Sequence, residues 1–65
     1  MSELHLLLMD LRADGIPIGP DALADLLVSR LGMDALLAQE CVWWFSERGY
    51  TTHDPETNTF TVNEL

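Results

Sequence analysis

Three glycines divide this chain of 65 residues into segments whose lengths leave few folding choices. Gly15, Gly32 and Gly49 each follow an apolar-rich run, and a glycine just past such a run supplies the left-handed residue that ends a helix. The spacing predicts helices near residues 3–13, 21–31 and 35–48. Beyond Gly49 the helical period stops. Tyr50-Thr51-Thr52-His53 is β-prone, Asp54-Pro55-Glu56-Thr57-Asn58 is turn chemistry, and Thr59-Phe60-Thr61-Val62 alternates polar with apolar. A hairpin near 50–53 and 59–62 is expected, with Tyr50, Phe60 and Val62 facing the core.

Helix starts are equally visible. Ser2 can cap the first helix with Glu3 in its first turn, where the dipole favours an anion. Pro20 and Asp21 open the second, and Asp34 can cap the third. On a helical wheel Leu4, Leu7, Leu8 and Leu11 form the core face of the first helix, and Leu23, Leu26, Leu27 and Leu31 that of the second. For the third, placing Leu37, Cys41, Trp44 and Phe45 inward keeps Glu40 and Glu47 outside. The stretch Ile16-Pro17-Ile18-Gly19-Pro20 is extended by its prolines.

A chain this short supports one core, so a single domain spanning 1–65 and an overall fold class of mainly α with a small β-hairpin (α+β) are expected. Hydrophobic residues make up 48%, too many for a disordered tail. The lone Cys41 cannot form an intramolecular disulfide, which fits a reducing, cytoplasmic setting. The opening MSELHLLLMD lacks a basic flank and a small-residue cleavage site, so it reads as a helix and not as a secretory signal. No stretch is long enough to cross a membrane.

Charge narrows the function classes. Eleven Asp and Glu against three Arg and no Lys give a formal net charge of -8, a field that repels phosphate backbones and acidic lipid and favours basic partners. Arg12, Arg30 and Arg48 fall in the predicted last turns of the three helices, where they complement the dipole and leave no cluster for phosphates. Direct nucleic-acid binding is not expected.

The order of elements resembles the winged-helix superfamily, a helix-turn-helix followed by a two-stranded wing. The resemblance rests on LADLL in the second helix, the break at Leu31-Gly32-Met33, the apolar third helix running into Glu47-Arg48-Gly49-Tyr50, and the closing TFTV strand. It implies that the piece around Ile16-Pro17-Ile18 adds a third strand to the wing. DNA-binding members of that superfamily place the third helix in the major groove. Here that helix and the wing carry Asp34, Glu40, Glu47, Asp54 and Glu56 against Arg48.

Candidate functional residues follow from charge and aromatic placement. Leu36 and Trp43 share a side of the third helix, bracketed by Glu40 and Glu47, and an apolar anchor ringed by charge is the pattern of a binding hot spot. With Asp54 and Glu56 at the hairpin tip, these residues form the expected partner-binding surface. Asp10 with Asp14 and Asp21 with Asp25 add acidic pairs at helical spacing, read either as a solubilising surface or as mimicry of a nucleic-acid backbone. Leu6, Met9 and Ala13 form a second apolar strip on the first helix, a candidate homodimer face. His5, His53 and Cys41 lack zinc-type spacing, so neither a metal nor a cofactor is expected. His53-Asp54 has no nucleophile, phosphate loop or pocket beside it in the sequence, and no catalytic residue is assigned.

The leading expectation is therefore a non-enzymatic adaptor or small inhibitor that binds a basic protein surface. By analogy it is similar to the small acidic anti-CRISPR proteins of phages. The alternative is a winged-helix transcription regulator that binds DNA as a dimer or with a basic partner.

Overall fold

The computed structural model describes residues 2–63. Helix α1 (Glu3–Asp14) begins where Ser2 Oγ accepts the His5 amide at 3.2 Å. It ends at Gly15, whose φ of 66° lets its amide reach the carbonyls of Leu11 and Arg12. Helix α2 (Pro20–Leu31) has proline at its first position, where no amide is needed, and stops at Gly32. Helix α3 (Ala35–Glu47) is capped by Asp34, whose Oδ2 accepts the Leu36 and Leu37 amides at 3.1 and 3.4 Å.

Strands β1 (Thr51–Asp54) and β2 (Thr59–Val62) pair antiparallel, with His53 opposite Phe60. The turn is held by Asp54, whose Oδ1 accepts the Glu56 amide at 2.9 Å. Asn58 takes the positive φ of 53° that asparagine tolerates better than most residues. Ile18 joins the far side of β2: its amide donates to the Phe60 carbonyl at 2.9 Å, and the Phe60 amide donates back at 2.7 Å. β2 is thus the middle of three extended pieces. The hairpin begins one residue later than its sequence pattern suggests, because Tyr50 is taken up by the helix exit, its amide reaching the Phe45 carbonyl.

The core consists of Leu7 and Leu8 from α1, Leu23, Ala24 and Leu27 from α2, Ala38, Val42 and Phe45 from α3, and Phe60 from β2. Phe45 and Phe60 are fully buried and are its largest members. Burying side chains of this size contributes about 1.5–3 kcal/mol each. Leu4, Leu11, Leu26 and Leu31 pack around this centre as their wheel positions predict.

The rotation of α3 differs from expectation. Ala38 and Val42 take the central contact, while Leu37 and Trp44 stay 50% and 39% exposed and Cys41 is only partly covered. Small side chains at the contact let helix axes approach closely, and that proximity sets the rotation more strongly than keeping acids outside. Glu40 and Glu47 are exposed all the same. Tyr50, expected in the core, is 40% exposed, packed between the rings of Trp44 and Phe45. Arg48 lies one residue beyond the α3 helix, where its guanidinium stacks 5.1 Å from the Trp44 ring centre. Arg12 and Arg30 do occupy the last turns of α1 and α2.

Candidate functional site

Because a helix advances about 100° per residue, a rotation that buries Ala38, Val42 and Phe45 must turn Leu36, Glu40, Trp43 and Glu47 to the opposite pole. All four are exposed, Leu36 at 74% and Trp43 at 46%. The sequence-predicted partner-binding residues of α3 thus form one strip. Trp43 serves two neighbourhoods. One edge meets His53 at 5.0 Å and Phe60 at 5.1 Å between ring centres, both T-shaped, and the rest faces water.

The hairpin is joined to this strip through the same contact. His53 is also tilted against Phe60 at 4.9 Å, and its Nε2 lies 2.9 Å from Asn58 Oδ1 across the turn. Phe60 gives its backbone groups to Ile18, so it meets His53 as a close, non-hydrogen-bonded pair, the arrangement that brings cross-strand side chains nearest. Asp54 and Glu56 follow, both exposed. Asp54 is partly occupied, since its carboxylate holds the turn.

Sequence reasoning missed a second apolar surface on the adjoining flank of α3. Leu37, Cys41 and Trp44 recur at helical spacing and, with Glu40, line an open hollow of about 280 Å³. On the other side of Trp44 a hollow of about 180 Å³ is lined by Ser2, Leu4, His5, Leu8, Trp44 and Tyr50. Trp44 is the wall between them. The signal was present in the composition of α3: eight of its thirteen residues, ALLAQECVWWFSE, are larger apolar residues or Ala38, more than one face can bury.

On α1, Leu6 and Met9 are 45% and 43% exposed and Ala13 is exposed, so the expected second strip lies at the surface. Beside it Arg30 reaches across from α2 to Asp10 at 3.3 Å, over a hollow lined by Glu3, Leu6, Arg30 and Leu31. Both partners of this ion pair are at least half exposed, and such pairs add little to stability. Asp10 therefore has a cation as its neighbour, in addition to any influence from Asp14.

Among the described residues, no group of three or more His, Cys, Asp or Glu side chains is gathered as a metal ion would require. Nor, among them, is any helix long and apolar enough to cross a membrane. Compared with known proteins, the chain matches no family model, no curated protein and no solved structure.

Proposed function

We propose that this domain is a non-enzymatic protein-interaction module of the cytoplasm, which docks on a basic surface of another protein through the outer strip of α3 and the hairpin tip. The observation that carries this reading is the placement of Leu36 and Trp43 on the outward pole of a capped helix, both substantially exposed and alternating with Glu40 and Glu47. An exposed aromatic costs little further ordering when its helix is already fixed, and surrounding carboxylates steer a cationic partner toward it. Its role is that of an adaptor or of an inhibitor that occupies a groove otherwise used by nucleic acid. The net charge of -8 supports that role and disfavours DNA as a direct ligand.

Two measurements test it together. A protein captured from the native host should associate more slowly with the Glu40→Lys, Glu47→Lys double variant, and with a flatter dependence on salt, while the thermal transition stays in place. The domain alone should show no appreciable affinity for duplex DNA at physiological salt. Sub-micromolar binding to any duplex, without another protein present, would overturn the reading in favour of a DNA-binding regulator.

A further inference from the structure

The flank of α3 left open by Leu37, Cys41 and Trp44 has a shape of its own. These residues stand at i, i+4 and i+7, the spacing of one helix face, and Trp44 separates the hollow they line from a second one between Trp44, Tyr50 and the start of α1. Depressions between ridges are what the side chains of a second helix enter. An extended strand is a poor occupant, because the backbone groups of α3 are already used inside the helix and offer a strand no ladder. We propose that this groove receives an amphipathic helix of the partner, with two large apolar side chains seated on either side of Trp44 and with Lys or Arg along its rim.

The basic rim follows from the charges around the groove. Glu40 forms part of the first hollow's lining, and Glu47 lies on the neighbouring outer strip two turns further on. Arg48 is stacked on the Trp44 ring at the far end of the row. A helix that is acidic along its length would meet Glu40 and a chain of net charge -8, whereas a basic one is attracted along the whole approach. The inference rests on the reading of a basic partner and adds, beside the Leu36–Trp43 strip, a second apolar contact on the Leu37–Trp44 flank.

The test uses three synthetic peptides of eighteen residues: an amphipathic helix of Leu and Lys, a scramble of the same composition, and the Leu and Glu counterpart. Binding is read by amide shifts in NMR and by titration. The expected result is saturable binding of the Leu and Lys helix, with the largest shifts at Leu37, Cys41, Trp44 and Tyr50. Binding should weaken at least tenfold for the scramble and for Leu37→Ser. Leu37 is half exposed, so that variant should keep the wild-type thermal transition, and Val28→Ser, at an exposed apolar residue of α2, should bind as wild type. Equal binding of the scramble would show charge alone at work, defeating the groove while leaving the basic-partner reading intact. Equal binding of the Leu and Glu helix would defeat the basic rim. Shifts centred on Leu6 and Met9 would place the docking face on α1 and overturn the proposal outright.

Discussion

Trp43 and Trp44 are consecutive, of one residue type and almost equally exposed, yet they are held by different parts of the chain. Trp44 touches Phe45, Arg48 and Tyr50, all within one or two turns of itself. Trp43 touches His53 and Phe60, which belong to the hairpin. The first contact set is local and reinforces the end of α3. The second joins separate elements, so Trp43 is both a surface residue and a support of the hairpin. Equal exposure does not mean equal structural role.

The comparison is broken most severely at Phe60, the ring on which Trp43 rests. Phe60→Ala removes a fully buried side chain at the residue whose backbone carries the Ile18 bridge, and a cavity of that kind costs about 3–5 kcal/mol. A domain of this size has little more than that in reserve. Denaturant titration should find the variant largely unfolded; a loss under about 1 kcal/mol would mean that the hairpin is not part of the cooperative unit.

Trp43→Ala and Trp44→Ala sharpen the contrast. Aromatic edge contacts contribute about 0.5–1.5 kcal/mol apiece, so Trp43→Ala should lose about 1–3 kcal/mol. Hydrogen exchange should locate that loss in the amides of Ile18 and Phe60. Trp44→Ala should leave those two amides as protected as in the wild type. Equal deprotection in both variants would erase the distinction between a local and a bridging tryptophan. For binding, the same result means that Trp43→Ala must be compared with the wild type at matched folded fraction.

Met9 supplies the smallest effect on the fold. It is about as exposed as Trp43 and is not among the residues of the core or those packed against it, so Met9→Glu should change stability by no more than about 0.5 kcal/mol. If the α1 strip of Leu6, Met9 and Ala13 mediates self-association, sedimentation should show a wild-type dimer that this substitution weakens. A wild-type monomer at high concentration would leave the strip without that role.

Much of this architecture was legible because it depends on local chemistry. Ser2, Asp34, Pro20, Gly15 and Gly32 mark helix ends through hydrogen bonds and dihedral preferences that act within a few residues, and the Asp54–Asn58 turn does the same for the hairpin. The rotation of α3 was not legible. It depends on how near α2 lies, and proximity is a property of two helices at once: Ala38 and Val42 matter because they allow close approach, not because they are the most hydrophobic residues available. Of the candidate site, the outer strip of Leu36, Glu40, Trp43 and Glu47 could be grouped from spacing. The Leu37–Trp44 flank could not, since a rule that keeps the acids in water places the same residues inward. Tyr50 was misplaced for a related reason, its backbone being needed at the helix exit.

The central position of β2 has a consequence for solubility. With Ile18 bridged to Phe60 on one side and β1 on the other, β2 is held on both sides at its centre, whereas among the described residues β1 pairs only with β2. Because His53 and Phe60 form a non-hydrogen-bonded pair, the His53 backbone groups point outward along the other edge of β1, where another chain could template on them. Three features restrain stacking there: the strand is only four residues long, Asp54 closes it with a charge, and every approaching copy carries the same charge of -8. The last of these acts at the longest range and is the one that added salt screens first.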